Sequence, residues 1–225
     1  FPSTILCALS GILITEAARA TAANNQAHLQ RLTKAVIQKT LQLSIFIAAG
    51  LLLYGNLIGT LLDDGALAGH LIRLLAPVVP FIYLEIVLEA LLKGMGQQSF
   101  SSLNYLAEYT IRIAIVLVCI PKFGFYGIVL SYYASNVCGN CFRLWKTCKT
   151  ARIRFSFWSD VGFPLFAAAL AFQVPLCGLR LLHGMQFAWI CLLPAILIDY
   201  ALLKSYGKIT AIPLLSKKQH VCSSA

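Results

Sequence analysis

The chain has 225 residues, of which 59% are hydrophobic and only 12% are charged, with a net charge of +10. Soluble globular chains are about 45–50% apolar and about 25% charged, so this composition excludes an ordinary soluble domain. The basic residues fall between apolar segments and form no stripe interleaved with aromatic side chains, which argues against nucleic acid as a partner. We therefore expect an all-α integral membrane protein.

Seven apolar segments have about the 20 residues that a membrane-spanning helix requires. Turn-forming stretches follow the first four of them, namely NNQAH, DDG, GMGQQS and PKFG. We expect five spans within residues 1–150, two further spans within 151–210, and a polar tail at 211–225. The segments cover residues 2–20, 36–62, 71–93, 102–121, 124–144, 161–182 and 186–206.

Lysine and arginine residues are concentrated in alternate connections between these segments. Such an asymmetry places the basic side in the cytoplasm, and it predicts seven crossings with a cytoplasmic C-terminus. The remaining connections hold only Arg73, Lys122 and Arg180. The residues of the basic side are Arg19, Arg31, Lys34, Lys39, Lys93, Arg143, Lys146, Lys149, Arg152, Arg154, Lys204, Lys208, Lys217 and Lys218.

Four ionisable residues lie well inside the third and fourth predicted spans: Glu85, Glu89, Glu108 and Arg112. A charge at the bilayer centre costs about 2.5–3.5 kcal/mol, so such residues tend to face a cavity or the inside of a helix bundle. Each pair is spaced i, i+4 and shares a helix face. The short GMGQQS turn predicts that the two spans form an antiparallel hairpin. A Glu85–Arg112 or a Glu89–Glu108 contact is then geometrically accessible, and we take all four as candidates for a substrate cavity.

Simpler roles stay open for these residues. In one alternative, Glu108 and Arg112 pair with each other within one helix, which lowers the cost of insertion and has no other role. Glu89 lies near the cytoplasmic boundary, where a long side chain reaches water. Asp199, in the last span, is explained equally well as an interfacial residue.

Sequence signatures of catalysis are absent: the chain contains no HExxH, GxSxG or GxxxxGK[ST] motif. The four histidines fall in predicted loops or the tail without metal-ligand spacing. Cys138 and Cys141 form a CxxC without a second pair, and we interpret them as small helix-packing residues. We expect neither enzymatic activity nor a bound metal.

Several short stretches resemble one transporter family along most of the chain. The first helix carries Phe1, Pro2, Leu9, Ser10 and the ITEA of residues 14–17. RLLAP follows at 73–77, then EALLKGMGQ at 89–97, and an Ile-Pro at 120–121 with FGFYGIVLS behind it. This order is similar to that of the stage V sporulation protein B type of the multidrug/oligosaccharidyl-lipid/polysaccharide (MOP) flippase superfamily. The family often has a proline just ahead of the S-E-A element, and residues 11–15 contain none.

The resemblance implies fourteen helices in two lobes of six plus a final pair, with this chain starting at the eighth helix. The chain would then be most of a MATE-like C-terminal lobe and the two terminal helices. The lobe that precedes it would be its partner in the same protein. If the full protein starts in the cytoplasm, as most polytopic transporters do, the charge asymmetry independently requires an odd number of preceding helices, which agrees with seven.

The resemblance also implies a function, which is to move a polyprenyl-pyrophosphate-linked saccharide or peptidoglycan precursor across a bacterial inner membrane by alternating access. Arg112 is the candidate for a pyrophosphate contact, since arginine binds phosphate oxygens bidentately. The carboxylates are candidates for sugar hydroxyls or a coupling cation, Na⁺ or H⁺. Glu16 and Arg19 are candidate gate residues, with simple boundary residues as the alternative.

Three other functions remain open at this point. A cation-coupled multidrug exporter of the same superfamily would use the same fold with a carboxylate-lined cavity. A membrane enzyme acting on a lipid head group would need a catalytic constellation that the sequence lacks. A non-transporting scaffold for cell-wall synthases would not depend on Glu85 or Arg112.

Overall fold

A computed structural model describes residues 2–60, 65–153, 161–169, 197–198, 201 and 204. The chain divides into two compact units, Phe1–Val161 and Gly162–Ala225. In the second unit, residues 163–169 are helical. Most of the sixth predicted span, nearly all of the seventh, Asp199 and the tail lie outside the described residues. The helices of the first unit are α1 (Pro2–Ala22), α2 (Gln26–Thr60), α3 (Gly65–Leu75), α4 (Val79–Gly94), α5 (Gln98–Phe123) and α6 (Phe125–Ala151).

The described part of the chain is helical and contains no strand, as the composition predicts. Three of its segments are long and apolar enough to cross a membrane: Gln26–Asn56, Leu67–Gly94 and Gln98–Phe123. They correspond to the second, third and fourth predicted spans. The coarse expectation of an all-α protein with membrane-spanning helices is therefore met.

The connection between α1 and α2 is only three residues long because two asparagines end one helix and start the next. Asn24 adopts a left-handed conformation (φ 51°), and the backbone N–H of Asn25 donates to the carbonyl of Ala20 at 3.0 Å. This is a Schellman-type helix end. The side chain of Asn25 then accepts from the N–H of His28 at 3.0 Å and caps α2. The predicted loop is therefore shorter than expected, and α2 begins ten residues before the predicted span.

The third predicted span is a broken helix rather than a continuous one. A 3₁₀ turn at Ala76–Val78 separates α3 from α4. Pro77 lies in this turn and Pro80 in the first turn of α4; neither has an N–H to donate to the preceding helical turn. The hydroxyl of Tyr133 on α6 donates to the carbonyl of Leu74 at 2.6 Å. A side chain of α6 thus binds the backbone next to the break.

Glycines make the two tight turns that follow. Gly96 has φ +73°, and the N–H of Gln97 donates to the carbonyl of Leu92 at 2.8 Å, which ends α4. Gly124 has φ +54° and alone separates α5 from α6. A β-carbon would be strained at either position.

The predicted hairpin of the third and fourth spans is not the main packing interaction. α5 packs along α6, and α6 in turn packs on α4, whereas α4 and α5 touch each other much less. α4 packs most closely on α1, where a β-carbon on Gly94 would meet the side chain of Ala17 at 2.6 Å. The short turn joins α4 and α5 as expected, but α6 offers a face of small and polar residues to both helices, and each of them packs more on α6 than on the other.

The end of α6 also differs from the expectation. The helix continues through Ala151, so the predicted linker after residue 144 begins as helix. It ends at Arg152, which is left-handed (φ 55°) and whose carbonyl accepts from Gln30 Nε2 at 3.4 Å. Arg143, counted from the sequence among the loop charges, lies inside this helix.

Candidate functional site

The side chain of Arg143 is fully buried and lies among three carboxylates from two other helices. Its Nη1 is 2.9 Å from Oε2 of Glu108 on α5. Its Nη2 is 3.3 Å from Oε1 of Glu85, and its Nε is 4.0 Å from Oε2 of Glu89, both on α4. We call Glu85, Glu89, Glu108, Arg112 and Arg143 the Arg143 cluster.

The guanidinium of Arg143 is held by charge and by an aromatic ring. Its Cζ lies 4.4 Å from the ring centroid of Tyr105, within the range of a cation–π contact. None of its nitrogens has hydrogen-bond geometry to a described partner, although Glu108 and Glu85 lie within ion-pair distance. Its directional donors are therefore not used up by the carboxylates.

Two of the three carboxylates, Glu89 and Glu108, each have a second basic partner on their own helix. Lys93 Nζ lies 2.8 Å from Oε1 of Glu89, one helical turn away. Arg112 Nη2 lies 3.2 Å from Oε1 of Glu108, also at i, i+4. Three carboxylates thus face three cations, and the charges balance. A buried charge without a partner would cost far more free energy than these paired charges do.

Arg112 forms the partly exposed edge of the cluster, with 24% of its side chain accessible. Its Nε donates to the hydroxyl of Ser135 on α6 at 2.9 Å. Its Cζ lies 5.3 Å from the ring centroid of Tyr109 and 4.8 Å from that of Tyr132. The two rings and the hydroxyl fix the direction of the guanidinium.

Close approach of α5 and α6 depends on Gly139. Asn104 Nδ2 donates to the carbonyl of Gly139 at 3.2 Å, which joins the two helices. A β-carbon at 139 would overlap Oε2 of Glu108 and lie 3.0 Å from Nη1 of Arg143. Because Gly139 has no side chain, the Glu108–Arg143 ion pair can occupy this space.

The four cavity candidates from the sequence meet in one place, but through a residue that the sequence analysis did not select. Glu85, Glu89 and Glu108 all contact Arg143, and Arg112 joins through Glu108. The ion partner of Glu85 is therefore Arg143 and not Arg112. Glu89 is buried, with 8% exposure, rather than extended into water.

A pattern in α6 could have identified Arg143. Small or polar residues recur every four positions along this helix, which places them on one face. All five are buried, and Arg143 is the only charged one among them. The stripe comprises Ser131, Ser135, Gly139, Arg143 and Thr147. A charge in line with such small residues is typical of a helix contact rather than a loop.

The two gate candidates lie outside the cluster, on the exposed end of α1. Arg19 Nη1 is 3.3 Å from Oε1 of Glu16, and His28 Nε2 is 3.9 Å from its Oε2. Both partners of Glu16 are more than half exposed, so these contacts are weak. Cys138 and Cys141 are exposed thiols on α6, and the described residues contain no group of three potential metal ligands.

Two grooves with almost wholly apolar walls lie between the helices of the first unit. One, of about 340 Å³, runs between α1, α2 and α4. The other, of about 520 Å³, lies between α2, α3, α4 and α6 and includes Tyr132, whose ring stacks on Arg112.

No protein-family model, no curated protein and no solved structure matches the chain.

Proposed function

We propose that this chain is part of a membrane transporter that moves a lipid-linked saccharide precursor, and that the Arg143 cluster is the polar element of its pathway. One observation supports this most strongly. A fully buried guanidinium lies between three carboxylates of two neighbouring helices, in segments that are otherwise apolar. Ionisable groups at membrane depth are costly and mark substrate or ion pathways more often than they add stability.

The cluster is suited to a structure that changes shape. Glu108 is shared, with one oxygen toward Arg112 and the other toward Arg143. The Arg143 contacts join α4, α5 and α6, so a relative movement of these helices has to break or exchange them. In our proposal these pairs exchange as the lobe alternates between two orientations.

Arg112 is the proposed contact for the substrate head group. It is more accessible than Arg143, and a guanidinium fits two oxygens of a phosphate. The apolar groove beside Tyr132 offers a surface for a prenyl chain next to that position. Together with the sequence resemblance to the MOP flippases, this favours a polyprenyl-pyrophosphate-linked saccharide in a bacterial inner membrane. Seven spans, a preceding lobe and a cytoplasmic C-terminus are part of the same proposal.

The test is complementation with variants of the native gene, in a strain that depends on it for export of the precursor. Glu85→Ala and Arg112→Ala should cause the lipid-linked precursor to accumulate on the cytoplasmic leaflet. Lys122→Ala is the matched control, because it removes an exposed charge from the same helix as Arg112. Full complementation by both variants, at normal protein level, would contradict the proposal and favour the scaffold.

A cation-coupled multidrug exporter is the second candidate, and the three neighbouring carboxylates favour it. They are the groups that a cationic drug or a coupling Na⁺ or H⁺ would bind. Efflux of cationic dyes from cells that express the protein distinguishes the two functions. Dye efflux that is lost in Glu85→Gln, without any precursor accumulation, would select the exporter.

A further inference from the structure

The smaller apolar groove has one charged residue in its wall. Helices α1, α2 and α4 enclose about 340 Å³, at the low end of the size of small-ligand pockets. The space suits one alkyl chain rather than a whole lipid. Its lining includes Leu6, Leu13, Val36, Leu43 and Val87, together with Lys39. We call it the Lys39 groove.

Lys39 lies where the charged part of α2 ends and an uncharged part begins. Residues 41–60 carry no charged side chain, and these 20 residues extend about 30 Å at about 1.5 Å each. That length matches the hydrocarbon thickness of a bilayer. Lys39 therefore lies at the end of the apolar part of α2, and Leu43 lies one turn further into it.

Within the part of the chain that the structure describes, no acidic side chain neutralises Lys39. It makes no ion pair with any residue of the described ranges. Further basic side chains, Arg19, Arg31 and Lys34, are exposed on the same end of α1 and α2. The single acid nearby, Glu16, already faces Arg19 and His28. The groove thus combines apolar walls with a positive rim, which complements an anion that carries an alkyl chain.

We propose that the Lys39 groove binds one acyl chain of an anionic membrane phospholipid, with the lipid phosphate at the ammonium of Lys39. This site is separate from the Arg143 cluster and does not rest on the proposed transport function. The lipid would fill the space between α1 and α2 and join both helices to α4. A basic residue near the membrane surface strengthens binding of an anionic lipid by about fivefold.

The test is native mass spectrometry of the full chain with added dioleoylphosphatidylglycerol, with dioleoylphosphatidylcholine as the neutral probe. Lys39→Gln should weaken phosphatidylglycerol binding by about fivefold. Lys34→Gln, five residues away on α2 and outside the groove, is the control that removes the same charge and should have a smaller effect. Ala35→Phe fills the groove without a change of charge and should abolish the bound lipid. Lys39→Arg should retain it.

Four results would overturn the proposal. Equal weakening by Lys39→Gln and Lys34→Gln would indicate a diffuse surface attraction. Unchanged binding in Ala35→Phe would show that no chain enters the groove, and equal binding of the two lipids would remove the role of the charge. Displacement of the lipid by excess inorganic phosphate would show that the head group alone is recognised. The thermal unfolding temperature of each variant, measured without lipid, shows whether the fold is intact.

Discussion

Nη1 of Arg143 lies 2.9 Å from Oε2 of Glu108, and both side chains are almost completely buried. The two residues come from adjacent helices, and Gly139 leaves the space in which they meet. The same guanidinium reaches Glu85 and Glu89 on α4. One arginine of α6 thus joins α4 and α5, and it is the ion-pair partner that Glu85, Glu89 and Glu108 share.

Loss of Arg143 should therefore destabilise the protein strongly. Arg143→Met keeps the length of the side chain but leaves three carboxylates with only Lys93 and Arg112 as partners. We expect a loss of about 3–5 kcal/mol in the free energy of unfolding, measured by titration with a denaturing detergent. Lys149→Met on the same helix is the control, since it is exposed and should cost less than about 1 kcal/mol. Equal losses for the two variants would mean that the buried charge has no special role.

The two cations that share Glu108 should contribute unequally. Arg143 is fully buried, whereas Arg112 is 24% exposed and is also held by Ser135 and two tyrosine rings. Double-mutant cycles with Glu108→Gln measure each coupling separately. We expect about 1–3 kcal/mol for Glu108 with Arg143→Met, and less than about 1 kcal/mol for Glu108 with Arg112→Met. A larger coupling to Arg112 would contradict the geometry.

The sequence predicted the helical class and most of the acidic site because both depend on local patterns. Apolar segment length predicted the helices, and the i, i+4 spacing predicted the Glu108–Arg112 pair that the structure contains. The spacing also placed Glu85 and Glu89 on one face of α4, and both face Arg143.

What the sequence did not give depends on which helices pack together. Arg143 was assigned to a loop because basic residues were counted by their distance from apolar segments, and this count ignores helix faces. α6 lies against both α4 and α5, which short connections alone do not predict. The break at Pro77 was also missed, although proline removes an N–H from the helix there.

That break leads to a prediction about Tyr133. Its hydroxyl donates to the carbonyl of Leu74 at 2.6 Å, next to the 3₁₀ turn between α3 and α4. Tyr133→Phe keeps the ring but removes this hydrogen bond, so we expect a loss of about 0.5–1.5 kcal/mol in the free energy of unfolding. Tyr126→Phe is the matched control, because its side chain is exposed on the same helix and should change stability little. Similar losses in both variants would indicate that the hydrogen bond does not support the break.

Gly139 and Gly11 provide a contrast in which the same substitution should have opposite effects. A β-carbon at Gly139 would overlap the Glu108 carboxylate, so Gly139→Ala must push α5 and α6 apart or displace the ion pair. We expect a loss of about 1–3 kcal/mol in the free energy of unfolding. Gly11 lies inside α1 with nothing within 4 Å of the added carbon, so Gly11→Ala should stabilise the protein by about 0.5–1 kcal/mol through helix propensity. Chemical denaturation of the two variants in the same detergent shows whether each substitution lowers or raises the free energy of unfolding. If Gly139→Ala were as stable as the parent chain, α5 and α6 would not approach as closely as the Arg143–Glu108 contact requires.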